Sequence, residues 1–253
     1  MSESPAAART GRTAAVIPAA GRGVRLGPGT PKALRSLGGI PMLVHAVRAM
    51  ARARAVSLVV VVAPPGEAAV AEVRALCADA SPSAEILVVP GGATRQESVA
   101  LGLAALPDDV DVVLVHDAAR PLVPVDTVEA VASAVRDGAP AVVPALPLAD
   151  TVKQIAAPGA PDEPELVVAT PDRALLRAVQ TPQGFSRSVL AAAHEKFAVA
   201  AGDGATDDAG MVERLGHPVV LVPGHEEAFK VTRPLDLVLA EAVLARRRET
   251  GGF

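Results

Sequence analysis

Five short apolar runs, separated by helical patterns, fill the first 145 residues and leave few folds open. They are Ala14–Ile17, Leu58–Ala63, Glu85–Val89, Val110–His116 and Ala139–Ala145. Most are valine-rich and bounded by Pro, Gly or Asp, as buried strands are. Between them, Ile40–Ala53 carries Leu43, Val47 and Met50 at helical spacing, and Glu67–Ala80 carries Val70, Val73, Leu76 and Cys77. Gln96–Leu106 and Asp126–Arg136 repeat the pattern, with Asp126 placed as an N-cap. Continuously apolar strands imply burial on both faces. The expected fold is therefore α/β, a mostly parallel sheet with helices on both sides.

The alternation breaks after Ala145. Residues 146–182 hold an extended run Thr151–Ile155, a Pro/Gly/acid stretch Ala157–Pro164, and a second run Glu165–Thr170. Two strands joined by a turn, projecting as an arm, are expected. A lone hairpin buries little, so a second subunit is expected against it. Helix and strand return in Arg187–Val199, Asp207–Leu215, Val219–Pro223 and Leu235–Arg247. With no repeat or internal linker, the expected organisation is a disordered leader at 1–12, one domain at 13–247 and a tail at 248–253.

Composition narrows the function classes. Lys and Arg number 24 against 28 Asp and Glu, a net charge of −4. A broad nucleic-acid face usually needs a basic surface, so any anion site must be local. There is no apolar run of about 18 residues to span a membrane. Met1–Thr13 is polar and lacks the apolar core of a secretory signal, so a cytoplasmic location is expected. One cysteine, Cys77, cannot form an internal disulfide and reads as a small buried residue.

In open α/β sheets, ligands bind beyond the carboxyl ends of the strands. The stretch Pro18–Lys32 sits there, after the first strand. It holds four glycines, three prolines, the cations Arg22, Arg25 and Lys32, and no acid. Backbone N–H groups in such a loop can cradle an anion. The P-loop pattern is absent, since Lys32 follows Pro31 and precedes Ala33. The dinucleotide pattern also fails, because Gly21 and Gly23 are followed by Gly27, one residue late. Three more polar stretches fall at strand ends or late in the chain: Gly91-Gly92-Ala93-Thr94-Arg95, His116-Asp117-Ala118-Ala119-Arg120-Pro121 and Lys230-Val231-Thr232-Arg233-Pro234. The first two are expected to converge with the glycine loop on one edge.

Pro18-Ala19-Ala20-Gly21-x-Gly23-x-Arg25-(x6)-Lys32 resembles the signature loop of nucleotidyltransferases that activate sugars and polyols. With the His116 and Lys230 stretches, Thr181-Pro182-Gln183-Gly184-Phe185 and Thr206-Asp207-Asp208-Ala209, the chain resembles the 2-C-methyl-D-erythritol 4-phosphate cytidylyltransferase family over about residues 13–247. That family belongs to the non-mevalonate isoprenoid pathway and has a Rossmann-like domain whose β-arm joins a homodimer. It couples CTP with methylerythritol 4-phosphate, using Mg²⁺, and releases pyrophosphate.

The resemblance implies roles residue by residue. Arg25 and Lys32 would stabilise the pentacoordinate α-phosphate, and Arg173 and Lys230 would position the polyol phosphate. Ala19, Ala20, Gly21 and Gly23 would line the CTP site, with Gly92 and Ser98 near the cytosine and ribose. Arg95 would at least order that loop. Asp117 would hold Mg²⁺. Thr151 on the arm, Arg120, Thr181 and Thr206 would line the polyol phosphate pocket. Thr151 and Arg173 would then serve the partner's site. His116 is better read as structural, because attack by an already ionised phosphate needs no base. Ala93 departs from the family, which often has a polar side chain there. Three alternatives stay open: a sister enzyme acting on another polyol phosphate such as ribitol 5-phosphate, a sugar-1-phosphate nucleotidyltransferase, and a non-catalytic nucleotide-binding module.

Overall fold

In the computed structural model, which describes residues 11–21, 31–80, 83–156, 163–197 and 207–251, neighbouring residues of the central strands enter two different cores. Ala14 and Val16 face one core and Ala15 and Ile17 the other, and all four are fully buried. Leu58 to Ala63 and Val112 to Val115 alternate in the same way. A strand has a side-chain period of two, so a run apolar at every position must be covered on both faces.

The strands are β1 (Arg12–Pro18), β2 (Ser36–Leu37), β3 (Ile40–Pro41), β4 (Val56–Ala63), β5 (Glu85–Pro90), β6 (Val110–Val115), β7 (Ala141–Pro147), β8 (Gln154–Ile155), β9 (Val167–Ala169), β10 (Arg177–Val179), β11 (Gln183–Ser186) and β12 (Val219–Pro223). The helices are α1 (Met42–Arg52), α2 (Glu67–Cys77), α3 (Arg95–Ala104), α4 (Val125–Arg136), α5 (Arg187–Phe197), α6 (Asp208–Arg214) and α7 (Pro234–Glu249). Side chains of α1, α2 and α4 fill one core and those of α3, α5 and α6 the other. A third cluster packs α7 against Leu37, Met42, Leu122 and Val231. The doubly covered, mostly parallel sheet expected from the sequence is present.

Among the described residues the main sheet has eight strands. β5, β4, β1 and β6 run parallel, and β12 runs parallel to β7. Val142 pairs with both Gly184 and Val220, and Ala145 with both Val179 and Pro223. β12 therefore lies on one edge of β7, while β10 and β11 share the other. They form one antiparallel line interrupted at the cis Thr181–Pro182 peptide. Its β11 part separates β7 from β6, an arrangement no local pattern announced.

Two expectations need correcting. α4 begins one residue before Asp126, with Pro124 at the cap position; Asp126 lies in its first turn without capping it. The carboxylate there still faces the positive helix end. The first strand of the arm shortens from Thr151–Ile155 to β8, which pairs antiparallel with β9. Most of the arm is exposed, including Leu166, Val167, Val168 and Leu175. Cys77 is buried, and burial pushes its thiol up to about 11.

α3 lies very close to the sheet at Gly102, where a Cβ would stand 2.6 Å from a Val16 methyl and 2.9 Å from one of Val62. Helix propensity alone makes Gly102→Ala stabilising by about 1 kcal/mol. Overpacking instead predicts a net loss of about 1–3 kcal/mol, read from urea denaturation. A variant more stable than the parent would show that α3 has room to move.

Candidate active site

Four loops meet at the carboxyl ends of the parallel strands. They enclose a pocket of about 250 Å³ lined by Pro18 to Gly21, Lys32, Gly92 to Arg95, Ser98, Asp117 to Ala119 and Lys230. Three of its lining residues are cations, Lys32, Arg95 and Lys230, and Asp117 is the one carboxylate among the described lining residues. Such a site suits a polyanion.

The loop after β5 is built from its glycines outward. The Gly91 N–H donates to the Ala63 carbonyl at 2.8 Å. A Cβ on Gly91 would come within 2.7 Å of that oxygen, and one on Gly92 within 2.5 Å of the Glu97 Cβ. A capping box follows: the Glu97 N–H donates to Thr94 Oγ1, while Glu97 Oε2 accepts from the N–H groups of Ala93 and Thr94. Ser98 Oγ accepts from the Gly92 N–H and donates to the Thr94 carbonyl. The N–H groups of residues 92–94 are thus all committed inside the loop. What Gly92 and Ala93 can offer a ligand is carbonyl oxygen.

The loop after β6 turns on His116, which is fully buried. The Arg120 carbonyl can only accept, which places the ring proton on Nε2 and leaves Nδ1 to accept from the Thr181 hydroxyl at 3.1 Å, while Thr181 Oγ1 accepts from the Asp117 N–H. This fixes a neutral tautomer, and burial lowers the ring to about 4. His116 and Thr181 therefore shape the turn that presents Asp117. Arg120 closes it from outside, donating to the carbonyls of Ala228 and Val179.

Asp117 joins the loops electrostatically. Lys230 Nζ stands 2.7 Å from its Oδ2, and Arg95 Nε 3.6 Å from its Oδ1. Burial alone would raise the carboxyl, but Arg95 and Lys230 outweigh it and hold it at about 2. Lys230 is positioned in turn by the Val231 N–H, which donates to the Ala119 carbonyl, and by Asp236, which caps the start of α7 through Thr232 and Arg233.

Arg95 does more than order its loop. Its other edge binds Asp208 Oδ2 at 2.7 Å, and Asp208, fully buried, also binds His194 Nε2 at 2.9 Å. Burial opposes ionisation of Asp208, yet its bonds to His194 and Arg95 keep it below the usual carboxylate range. Gln183 braces this corner, donating to Asp207 and accepting from the Ala209 N–H. Asp208, His194 and Glu97 were not singled out from the sequence. The only signal was the Thr206-Asp207-Asp208-Ala209 stretch.

Of the residues expected at the site, Ala19, Ala20, Gly21, Lys32, Gly92, Arg95, Ser98, Asp117 and Lys230 line the pocket. Arg120 and Thr181 brace its wall. Thr151 and Arg173 lie exposed on the arm, where the Arg173 guanidinium donates to the Ala149 carbonyl at 2.6 Å. Gly23, Arg25 and Thr206 lie outside the described residues. Among the described residues, no three His, Cys, Asp or Glu side chains gather as a metal cage. Asp117 alone suits Mg²⁺ taken mainly through substrate phosphates.

The chain matches the family model for 2-C-methyl-D-erythritol 4-phosphate cytidylyltransferase over residues 13–246. It is 72% identical to the enzymes of that name from Streptomyces avermitilis and Streptomyces coelicolor, over 96% of its own length and 95% and 88% of theirs. The Thermus thermophilus structure of that name superposes with a TM-score of 0.69 at 37% identity, covering 91% of this chain and 98% of that one.

Asp208→Asn removes the buried charge that holds Arg95. The expected result is a 10- to 100-fold loss of kcat/KM for CTP with native far-UV circular dichroism, because a small misplacement of a positioning group has that cost. Unchanged kinetics would confine Asp208 to a packing role.

Proposed function

Because the chain belongs to the 2-C-methyl-D-erythritol 4-phosphate cytidylyltransferase family, we propose that this pocket joins CTP to 2-C-methyl-D-erythritol 4-phosphate. The products are 4-diphosphocytidyl-2-C-methyl-D-erythritol and pyrophosphate, in isoprenoid precursor synthesis. The observation that carries the reading is a pocket at the sheet's carboxyl edge whose described lining residues hold three cations and one ion-paired carboxylate.

In the reaction, a phosphate oxygen of the polyol forms a bond to the α-phosphorus of CTP. The bond from that phosphorus to the bridging oxygen breaks, and its electron pair leaves on pyrophosphate. Both reactants are anions, so positioning and charge neutralisation carry most of the catalysis. Lys32 and Arg25 are assigned to the α-phosphate, and the amides of Gly21 and Gly23 to the triphosphate. Ala19 and Ala20 border the nucleotide. The Gly92 and Ala93 carbonyls suit the exocyclic amino group of cytosine, a hydrogen-bond donor that uracil lacks. Mg²⁺, held by Asp117 and phosphate oxygens, would offset the negative charge. Lys230 already sits beside Asp117, where the two substrates would meet.

Thr206 is assigned to the polyol phosphate side together with Thr151 and Arg173, while Arg120 and Thr181, expected there too, have their polar groups bonded within the wall behind it. Thr151 and Arg173 lie on the arm, which presents a row of exposed apolar side chains from Leu166 to Leu175. We infer that this row is buried in a homodimer and that Thr151 and Arg173 complete the partner's site. The family match from 13 to 246 supports one domain that includes the arm. Among the described residues no helix is long and apolar enough to cross a membrane, and the enzyme is assigned to the cytoplasm.

The test is pyrophosphate release from CTP with methylerythritol 4-phosphate, against ribitol 5-phosphate and the other nucleoside triphosphates. Turnover should be highest for CTP with methylerythritol 4-phosphate, and Lys32→Ala should lower it by at least a hundredfold. Faster release with ribitol 5-phosphate would replace the acceptor. Mixing inactive Lys32→Ala and Arg173→Ala chains should restore part of the activity through hybrid dimers. No recovery would mean that each site is built from one chain.

A further inference from the structure

A second cavity, of about 600 Å³, lies between α1, α7 and residues 121–126, and shares no lining residue with the catalytic pocket. Its charged lining residues are Arg48, Arg52, Arg247, Arg248, Asp126 and Glu227, with His45 and His225 beside them. Glu227 is consumed by Arg246 and Arg247, which grip its two oxygens. Arg247 also donates to the Leu122 carbonyl at 2.6 Å. Among the described lining residues, that leaves Arg48, Arg52 and Arg248 with one remaining acid, the exposed Asp126. Arg48 and Arg52 have no hydrogen-bond or ion-pair partner among the described residues, and Arg248 has one 3.4 Å bond to the Gly38 carbonyl.

We propose that this cavity is a second anion site, taking a small molecule that carries a diphosphate or similarly compact polyanionic group. His45, Arg48 and Arg52 fall on one face of α1, at spacings of three and four, and like charges so placed oppose helix formation. The field of Arg52 and Arg248 suits the carboxyl ends of their helices. That accounts for each alone, since both could point to open solvent, but not for Arg48 or for their gathering around one cavity. Burial is the main cause that lowers His45, against its bond to the Leu37 carbonyl, and Arg48, Arg248 and Arg52 add smaller effects of the same sign. Planar guanidiniums bind phosphate oxygens in bidentate fashion, and a diphosphate offers enough oxygens for three. The wall made by Leu122 and Val123 continues directly from the Asp117 turn, and Glu227 adjoins Ala228, whose carbonyl holds Arg120.

The experiment is calorimetric titration of inorganic pyrophosphate into the full chain without CTP. Two classes of site are expected. Arg48→Ala/Arg52→Ala should weaken one at least tenfold and leave turnover with CTP and the polyol phosphate within about twofold. Lys32→Ala should weaken the other. Arg52→Gln, which alters an exposed side chain without touching the core, should weaken the first class at least threefold and guards against a folding defect in the double variant. Isotherms unchanged by both arginine variants would overturn the proposal. A Lys32→Ala isotherm equal to the parent would instead count against the assignment of the catalytic pocket.

Discussion

The pairing of Asp117 with Arg95 and Lys230 is the interaction on which the site depends. Its side chain is 12% exposed, and a carboxylate removed from water is costly unless paired. Here it is paired twice, by side chains from loops that are remote in sequence. The charge therefore ties the loop after β5, the turn after β6 and the approach to α7 to one point. Because Asp117 is held at about 2, below its ordinary 3.8, it stabilises the fold above about pH 4. That contribution, on the order of 2 kcal/mol, fades as pH falls towards 2. Asp208 repeats the device one layer deeper, fixing the far edge of Arg95.

Small residues let the rest of the molecule serve that point. Gly102 lets α3 sit close to the sheet, which brings Arg95 and Ser98 to the pocket wall. Gly184 lies where a Cβ would meet Val131 at 2.5 Å, so α4 can pack over the antiparallel line of β10 and β11. That line carries Thr181, whose hydroxyl bridges His116 Nδ1 and the Asp117 N–H. The scaffold is thus mostly alanine, valine and glycine, and polar side chains are concentrated at the sheet's carboxyl edge.

Much of this was legible in the sequence because it was local. Runs such as Leu58–Ala63 and Val110–His116 declare doubly covered strands, and the position of Gly21 and Asp117 after two of them declares a site. The insertion of β11 between β6 and β7 was not legible, because antiparallel pairing to distant strands leaves no periodic mark in Arg177–Ser186. Nor was the partnership of Arg95 with Asp208, 113 residues apart. Pro124 displaced Asp126 from the cap because the turn before α4 had already set the helix start. Thr151 and Arg173 were drawn from resemblance alone, and within one chain they stand apart from the pocket.

Whether a doubly paired carboxylate assembles the site can be read from the titration of Asp117 itself. Carboxyl carbon chemical shifts of Asp117, followed by NMR from pH 6 downward, should show a midpoint near 2. The midpoint should move upward in Arg95→Ala. A midpoint near 4, the value of an ordinary exposed aspartate, and insensitive to Arg95, would contradict the account.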